Sequence, residues 1–444
     1  MMRFLRCSLI LPLISCLILP AHAEEKITFQ QAWSKVTKYQ GRSVPGVDTS
    51  TLLGKVVVGY QGWQNTPKDG ADLGWRHYLF NKSFEPGHTC IDYWPDTSEL
   101  TSGEKAATPF HKADGSVACV YSARNEQTVL RHFQWMHDYN IDSAFQQRFL
   151  HNMITDPKIL DDFNHVLMNC RRGANMTGGS YAVMYDLSGV PPGWVEKGKQ
   201  DWRNLVDKMG IGRDPNDKAY LHHRGKPLVV IWGVGMGQKN SKPRSYTLAE
   251  CEEFIRFIKN DPNYGGNAIM LGIPSYWRTL GKDSLNDPRL HDVLKLADVL
   301  SPWTPGRYKS IETAEKHAEM VWKEDFAWCQ REKIDYLPVV FPGFSCHNKN
   351  PDKPINEIPR LKGAFLWAQY AALAKLGIHT VYQAMFDEMD EGTQIFKVDQ
   401  DPPIGASHFL TYEGLGSDYY LWLVQQAKKM ITGETPVSKK MPVR

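Results

Sequence analysis

The sequence carries little net charge and, beyond its first residues, no long apolar run. The 52 lysines and arginines nearly balance 49 aspartates and glutamates, which leaves a formal net charge of +3. So small an excess gives no reason to expect nucleic acid or an anionic membrane surface as a partner. No stretch after the first apolar segment approaches the ~20 residues that a bilayer-spanning helix needs. We therefore expect a globular protein with neither a nucleic-acid partner nor a membrane span.

Motifs of several enzyme classes are also missing. The sequence has no Gly-x-Ser-x-Gly and no His-Glu-x-x-His motif, and no Gly-x-Gly-x-x-Gly turn follows an apolar run. Gly225-Lys226-Pro227 lacks the rest of a phosphate-binding loop. These absences argue against a serine hydrolase, a zinc peptidase and a dinucleotide-binding enzyme, and we expect no cofactor.

Cysteine is scarce and scattered. Of the 8 cysteines, those after residue 23 show neither a Cys-x-x-Cys pair nor a Cys/His spacing suited to zinc. In an exported protein some of them can be oxidised, and Cys90 with Cys119 is the most local pair. The sequence does not determine the connectivity. The cysteines in question are Cys90, Cys119, Cys170, Cys251, Cys329 and Cys346.

The first residues have the pattern of an export signal. Arg3 and Arg6 form a charged start, Cys7–Leu19 is apolar, and Ala21-His22-Ala23 is a cleavage site. Lipoprotein processing at Cys16 is the alternative, but an apolar continuation follows that cysteine where a polar tether is usual. We expect a periplasmic or extracellular protein, with anchoring at Cys16 the less favoured possibility.

The composition is that of a large globular protein rich in aromatic residues. Hydrophobic residues make up 42% and charged residues 23% of the chain, with 14 Trp and 19 Tyr. Aromatic rings suit sugar-stacking surfaces and equally a large core. We divide the chain into a signal peptide (1–23), an N-terminal segment (24–50), one catalytic domain (51–434) and a flexible tail (435–444).

Eight apolar, β-branched runs alternate with helical patterns along this domain. Most follow one another at the spacing of β-α units, except across residues 62–124, a Gly- and Pro-rich insertion predicted as a long loop. Eight units favour an α/β fold of the (β/α)8 TIM-barrel type, with long loops on its C-terminal face, over a doubly wound open sheet. The predicted strands are Val56–Tyr60, Ile141–Phe149, Tyr181–Leu187, Pro227–Trp232, Ala268–Ile273, Val299–Trp303, Leu337–Phe341 and His379–Phe386. The predicted helices are Thr128–Tyr139, Pro157–Ala174, Lys199–Met209, Leu248–Lys259, Asp287–Ala297, Ser310–Lys333, Pro359–Leu376 and Ser417–Ile431.

The C-terminal ends of barrel strands surround the active site, and here they bring aromatic rings, arginines and acids to one rim. Aromatic faces stack on the apolar faces of pyranose rings while polar neighbours hold the hydroxyls. Each ring alone is better explained by packing, but the set favours a carbohydrate substrate. His222-His223 precedes the fourth run and is predicted to lie on the surface at the opposite end. The candidate contacts at the rim are Tyr60, Trp63, Arg148, Asp186, Trp232, Tyr276, Trp277 and Trp303.

The eighth run ends in four carboxylates, Asp387, Glu388, Asp390 and Glu391, before Gly392 turns the chain. Glycosidic cleavage needs an acid for the leaving oxygen and a base or nucleophile on the other side. Crowding in one pocket would raise one pKa so that one group stays protonated. A solvated acidic turn and a calcium site are the alternatives. The acids are not at EF-hand spacing, and we expect no metal.

Two blocks of sequence resemble a known family. Glu388-Met-Asp-Glu391-Gly-Thr-Gln-Ile395 resembles the Asn-Glu-Trp-x-Glu-Gly-Thr-Gln-Ile signature of glycoside hydrolase family 99, which contains endo-α-mannosidases and endo-α-mannanases. Gly59-Tyr-Gln-Gly-Trp63 and Gly74-Trp-Arg-His77 are similar to its block at the first strand. The wider chain resembles the family 71/99-like set, in which family 71 comprises α-1,3-glucanases and some members carry a xylosidase/arabinosidase label.

The resemblance implies roles for single residues. Glu391 matches the general acid/base, and Glu388 matches a base that removes the proton of the substrate's own 2-hydroxyl. The sugar then closes to a 1,2-anhydro intermediate that water opens with overall retention. Asp387 stands where the family has Asn, and Met389 where it has Trp, so the reaction type carries over better than the substrate does. His77, Asp387 and Asp390 complete the predicted substrate-binding set.

Together these features predict an exported, metal-independent glycoside hydrolase that cleaves an α-linked polysaccharide or oligosaccharide, with α-mannan as the first candidate. An α-glucanase or a xylosidase/arabinosidase-type glycosidase on the same site is the alternative within enzymes. A non-catalytic glycan-binding barrel is the alternative outside them. The linkage, endo or exo action and the oligomeric state do not follow from the sequence.

Overall fold

The computed structural model describes residues 27–237 and 244–444. The export signal and the alternative lipid site at Cys16 lie outside the described residues, so both stay predictions. Among the residues that are described, no helix is long and apolar enough to cross a membrane.

The described chain alternates strands with helices, and labels below follow chain order. The strands are β1 Val56–Tyr60, β2 Ala106–His111, β3 Val117–Val120, β4 Ser143–Phe149, β5 Ser180–Asp186, β6 His222–His223, β7 Lys226–Trp232, β8 Ala268–Pro274, β9 Val299–Trp303, β10 Asp335–Tyr336, β11 Val339–Val340 and β12 Val381–Gln383. The helices are α1 Phe29–Ala32, α2 Glu126–Asp138, α3 Leu150–Thr155, α4 Pro157–Thr177, α5 Val195–Asn204, α6 Leu248–Asn260, α7 Arg289–Leu294, α8 Ile311–His317, α9 Lys323–Glu332, α10 Ala364–Lys375 and α11 Tyr419–Ile431. Short π segments at Leu205–Met209 and Ala318–Trp322 continue α5 and α8, and 3₁₀ turns lie at Trp277–Thr279 and Leu361–Gly363.

Parallel strands form a closed barrel. Their order is β10-β9-β8-β7-β5-β4-β1-β12-β11, and only Leu337 and Pro338 separate β10 from β11. These two strands are therefore halves of one seventh barrel strand: β10 pairs with β9, and β11 pairs with β12. Pro338 has no N–H to donate, but its carbonyl accepts from the Tyr382 amide at 3.0 Å. The ring of eight is complete, which confirms the predicted barrel and excludes the open sheet.

The predicted strands all occur, and the eighth differs most from its prediction. It ends at Gln383 rather than at Phe386. Beyond it the Met385 amide donates to the Thr393 carbonyl at 2.9 Å, and the Ile395 amide donates back to Met385 at 3.0 Å. The Ala384 and Phe386 amides still donate to the Val340 and Gly59 carbonyls of the neighbouring strands, at 2.9 and 2.8 Å. The chain therefore keeps contact with the sheet up to Phe386 while it already bonds to the loop that follows.

Several helix ends match the sequence signals. The Asp156 side chain accepts from the Lys158 amide with Pro157 in the first turn, and Thr247 with Glu250 forms a capping box at the start of α6. Gly377 follows the last residues of α10 with φ of +73°, the left-handed conformation that ends many helices.

Both ends of the described chain pack against the barrel's helices. The Asn164 side chain of α4 donates to the Ala32 carbonyl at 3.0 Å, and Trp33 is buried. In residues 435–444, predicted as a flexible tail, the Ser438 carbonyl accepts from Trp367 Nε1 at 3.0 Å and Arg444 pairs with Asp418 at 2.8 Å. The N-terminal segment thus closes over α4, and the tail contacts α10 and the start of α11.

The insertion 62–124 forms the hairpin β2–β3 and an aromatic cluster. The Phe84, Trp94 and Phe110 rings lie 4.9 to 6.0 Å apart. All described cysteines are free, so the Cys90–Cys119 pair is not formed.

His222 and His223 do lie at the N-terminal end of β7, where they form β6. The prediction that this pair lies on the surface is wrong for His223. It is buried, with Nε2 2.8 Å from Asp335.

Candidate active site

The segment 387–394, which we call the acidic turn, follows β12 at the C-terminal end of the barrel. Its backbone is held from two directions. The buried Arg360 donates to the Gly392 carbonyl at 2.8 Å and to the Gln394 carbonyl at 2.7 Å, and the Ser345 amide donates to the Glu391 carbonyl at 3.0 Å. These contacts fix the positions from which the acidic side chains project.

Arg360 is itself held by aromatic rings. Its guanidinium carbon lies 4.7, 5.0 and 4.6 Å from the ring centres of Tyr93, Tyr412 and Tyr420. Cation–π contacts of a desolvated arginine are among the stronger ones. They allow a charge to be buried beside the turn without a carboxylate partner.

Asp387 does not face the site. It is fully buried, and its two oxygens accept from the backbone amides of Gln61 and Gly62 at 2.8 Å each. Burial raises its pKa to about 7 against the lowering effect of these hydrogen bonds. Asp387 ties the acidic turn to the end of β1. Its predicted role as a substrate contact is wrong because the fully buried side chain points to the Gln61 and Gly62 amides rather than into the site.

Glu388 lies at the centre of the site with both oxygens held. Gln61 Nε2 donates to Oε1 and Thr393 Oγ1 donates to Oε2, each at 2.8 Å, and 6% of the residue is exposed. Burial, then the negative charges of Glu391 and Asp390, raise the pKa of Glu388 well above its usual value. Glu391 is half-buried, so the more exposed glutamate lies beside the more enclosed one.

The pKa of Asp390 is shifted in the opposite direction from that of Glu388. One oxygen is 2.9 Å from Lys349 Nζ and 3.3 Å from His77 Nδ1. Burial alone would raise its pKa, but the lysine and then the histidine outweigh burial and hold the pKa well below the usual range. Burial also lowers the pKa of His77 to about 4. At neutral pH the site therefore holds an ionised Asp390, a cationic Lys349 and a neutral His77.

An aromatic stack continues from His77 along the rim. The Trp63 ring lies 3.7 Å from the imidazole at an interplanar angle of 4°, and Phe149 stacks on its other side at 4.8 Å. Two residues singled out by sequence, Trp63 and His77, are thus brought together and joined to the acidic turn through Asp390.

A second aromatic group lies inside the barrel. The Trp232 and Trp303 rings are 5.6 Å apart, and Trp303 is 6.2 Å from Tyr382. Gly272 makes room for Trp232, since a Cβ there would lie 2.3 Å from the indole. Gln147 donates to the Tyr382 hydroxyl at 3.3 Å. Both indoles are half-buried and face the end of the barrel that carries Glu388.

Asp186 and Tyr276 also lie at this end. Side chains alternate along a strand, and Tyr185 bonds to Asp201 of α5, so Asp186 points to the barrel interior. Tyr276 follows β8, is half-buried and has Lys282 Nζ 3.8 Å from its ring centre.

Three predicted contacts face the helix layer instead. The Tyr60 hydroxyl is 2.9 Å from His132 of α2. Arg148 bonds to Asp201 at 2.6 Å and is fully buried. Trp277 Nε1 donates to Asp325 of α9 at 3.1 Å. The sugar-contact predictions for Tyr60, Arg148 and Trp277 are wrong, because each lies on the outward face of the sheet or in the turn after it.

Sequence patterns alone do not point to several polar residues of the site. Gln61, Gln147 and Thr393 are not among the predicted site residues, although Gln61 lies within the block Gly59–Trp63 and Thr393 within the block 388–395 that the resemblance marked. Lys349 belongs to an irregular loop, and nothing in the local sequence links it to Asp390. Only the fold brings Gln61 and Lys349 to the acidic turn.

Several buried polar atoms here have no hydrogen-bond partner within the described residues. Such atoms are costly unless something satisfies them. Others lie elsewhere in the described residues, and those at this end of the barrel are placed to bond to a ligand. They are Gln61 Oε1, Trp63 Nε1, Gln147 Oε1, Trp232 Nε1 and Asp390 Oδ1.

No group of three or more His, Cys, Asp or Glu side chains in the described ranges is arranged to hold a metal ion. Within the acidic turn, the Asp387 oxygens accept from two amides and Asp390 is paired with Lys349. Because these carboxylates are already bound within the protein, they are poorly placed to coordinate calcium. Metal independence stays a prediction.

Comparison with known proteins finds the same fold at low sequence identity. No family model and no curated protein matches the sequence. A solved structure described as the GH99 endo-α-mannosidase from Bacteroides thetaiotaomicron matches with a TM-score of 0.61 and 14% identity, over 87% of this chain and 100% of that one. The same enzyme in complex with bis-tris-propane gives 0.60 and 14% over the same shares. The chain therefore has the fold of a family 99 endo-α-mannosidase, as the resemblance of its sequence blocks predicted.

Proposed function

We propose that this protein is a glycoside hydrolase that cleaves α-linked glycans, with α-mannan as the first candidate substrate. One observation carries the proposal. Glu388 and Glu391 project from a turn whose backbone Arg360 and Ser345 hold in place, at the barrel end where active sites of this fold lie. Half-buried indoles and unsatisfied polar atoms lie at the same end of the barrel, which suits the apolar faces and hydroxyls of a sugar.

Glu388 is suited to the role of base. Gln61 and Thr393 fix both its oxygens, and its raised pKa gives the ionised form a strong pull on a proton. Because the negative charge of Glu391 opposes ionisation of Glu388, the pair favours states that hold one proton. That proton count is what a pair of one acid and one base requires. For Glu388 to act as the base, the proton of the pair must lie on Glu391 when the substrate is bound.

In the proposed reaction the ionised Glu388 takes the proton of the sugar's 2-hydroxyl while O2 bonds to C1. The bond from C1 to the leaving oxygen breaks, and Glu391 gives its proton to that oxygen. Water then attacks C1, Glu391 accepts a proton from the water, the O2–C1 bond breaks, and Glu388 returns its proton to O2. Two displacements at C1 retain its configuration. The assignment of the two roles follows the family resemblance.

The decisive experiment measures reducing ends released from a panel of α-mannans, α-glucans and pentose-containing glycans. We expect the wild type to cleave at least one α-linked member. Glu388→Gln and Glu391→Gln should each lower kcat by about 10²- to 10⁴-fold, the usual contribution of a general acid or base. Glu319→Gln, the same change at an exposed helical residue, should leave the rate unchanged.

The same panel separates the alternatives. A glycan-binding barrel would bind a member without releasing product, and an α-glucanase or xylosidase/arabinosidase-type enzyme would prefer other members. Full activity in both glutamine variants would overturn the mechanism.

Export is part of the proposal, supported by the charged, apolar and cleavage segments within residues 1–23. N-terminal sequencing of the protein from its native host should begin at Glu24. A lipid-modified Cys16 at the N terminus would establish the alternative.

A further inference from the structure

The loop after the seventh barrel strand, residues 345–358, lies directly against the acidic turn, and we call it the strap. Phe344 and Ile358 pair across its base. Gly392 of the acidic turn has φ of +63°, and a Cβ there would lie 2.8 Å from the Ser345 amide. Strap and turn therefore pack backbone against backbone, and a movement of one displaces the other.

Asp92, from the insertion, fixes the strap from its other side. Its fully buried carboxylate accepts from the Ser345 hydroxyl, from the His347 amide at 2.7 Å and from the Asn348 amide at 2.8 Å. The Asn348 side chain adds a bond to the Ile91 carbonyl at 2.9 Å. The mechanism proposed above makes no use of Asp92. Its contacts fix the backbone up to the residue before Lys349.

Lys349 reaches from the strap over the carboxylates. Its Nζ is 2.9 Å from Asp390, yet 43% of its side chain is exposed while Asp390 is 2% exposed. An ammonium has three N–H groups, and the contact with Asp390 uses one. Burial lowers the pKa of Lys349, but Asp390 and then Glu391 outweigh burial and raise it. Lys349 is therefore a cation beside the acid pair with donors to spare.

The contrast with a purely structural pair is clear. Arg148 and Asp201 are 0% and 6% exposed and lie between sheet and helices, where only the protein can use them. In the Lys349–Asp390 pair the acid is closed off and the cation is open. A cation kept open at the rim is placed to meet a ligand.

We propose that Lys349 is a substrate-binding residue, that its remaining N–H groups donate to hydroxyls of the sugar held against Glu388 and Glu391, and that Asp92 positions it through the strap. The inference rests on the proposed function. It adds a contact from a loop that the sequence signature at residues 388–395 does not include.

The test compares Lys349→Met, Lys349→Arg and Lys353→Met on the panel glycan that the wild type cleaves fastest. Lys353 is the matched control: it lies on the same strap, is 49% exposed and faces Glu357 rather than the acidic turn. We expect Lys349→Met to raise KM about tenfold or more, the loss for a charge-assisted hydrogen bond. Lys349→Arg should recover part of it, and Lys353→Met should behave as the wild type.

The melting temperature separates folding from binding, and Lys349→Gln serves as the second variant if the methionine protein does not fold. A wild-type KM in a folded Lys349→Met or Lys349→Gln protein would overturn the inference and leave the proposed function intact. If the wild type releases no reducing ends from any member of the panel, the proposed function fails and the inference fails with it.

The positioning role of Asp92 has its own readout. Asn348→Ala loosens the strap without touching a carboxylate, and Asp92→Asn weakens it directly. Each should raise KM, but neither should raise it further when combined with Lys349→Met, because the contact they support is already gone. If the increases in KM of the single variants multiply in the double variants, Asp92 affects substrate binding independently of Lys349.

Discussion

Asp387 shows how one carboxylate can be part of an active-site sequence without being part of its chemistry. It lies next to Glu388, and the resemblance places Asn at this position. Here both oxygens accept from backbone amides, which an aspartate can do and an asparagine cannot. The NH₂ group of an asparagine would face one amide N–H.

We predict that Asp387→Asn destabilises the protein by about 1–3 kcal/mol at pH 5, the cost of a buried donor without a partner. The pKa of Asp387 is raised to about 7 in the folded protein, so the wild type binds a proton that the unfolded chain releases between pH 4 and 7. The stability that this group contributes to the wild type is therefore lost as pH rises through that window.

The deficit of the variant should accordingly shrink between pH 5 and pH 8. Denaturant unfolding at both pH values measures it, with Asp352→Asn as the control at an exposed aspartate. A deficit that grows with pH would contradict the assignment.

At the scale of single strands, the predictions depend on which face of the sheet each side chain occupies, because side chains alternate along a strand. Apolar runs locate every barrel strand, because buried parallel strands are apolar on both faces. The same property hides which side chains face inward. On β4, Gln147 points into the barrel and Arg148 points to the helices. The sequence favours the charged neighbour as the candidate, and the structure selects the uncharged one.

The loops after the strands are harder to predict than the strands themselves. The acidic turn can be recognised because its four carboxylates and its family-like signature are local in sequence. The residues that hold the acidic turn in place cannot be recognised in this way, because Arg360, Ser345 and Lys349 approach it only through the tertiary fold. The prediction for Trp277 is wrong for a related reason: a 3₁₀ turn after β8 rotates its indole toward α9.

Gly272 gives a test at the element scale. A Cβ on β8 would lie 2.3 Å from the Trp232 indole, so Gly272→Ala must displace that ring or strain the barrel. We expect a loss of about 1–3 kcal/mol in stability, as for other overpacked cores, and a raised KM for the glycan.

Gly281→Ala is the control, since its Cβ would meet nothing nearer than 3.9 Å. Chemical denaturation and steady-state kinetics provide the two measurements. Wild-type behaviour of Gly272→Ala in both would show that the position of Trp232 does not matter.

For the molecule as a whole, the absence of disulfides among the described residues is the unexpected feature, because the first residues of the sequence predict export. A single domain of this size buries enough surface to be stable without cross-links, whereas small exported domains depend on them. Burial raises the pKa of Cys90, Cys170, Cys251, Cys329 and Cys346, to about 12 for Cys251 and about 11 for Cys346. These five native thiols are therefore poor nucleophiles at neutral pH.

We predict that the protein lacking residues 1–23 melts at the same temperature with and without reducing agent. Denatured under non-reducing conditions, it should titrate six thiols, the number that is free in the structure. Lysozyme, which has disulfides, serves as the control for the reductant. Fewer than six thiols, or a peptide pair linked through sulfur, would contradict the free cysteines.

The long-range hydrogen bonds that hold the acidic turn and the strap also indicate the order in which the protein folds. Asp387 bonds to residues 326 and 325 positions away, and Asp92 reaches 253 to 256 positions along the chain to the strap. Contacts of such long range form late, because the chain must first close large loops. On refolding, secondary structure should therefore return before Glu388 and Glu391 are aligned. Recovery of hydrolysis would then measure completion of the whole barrel and its loops rather than formation of any single element.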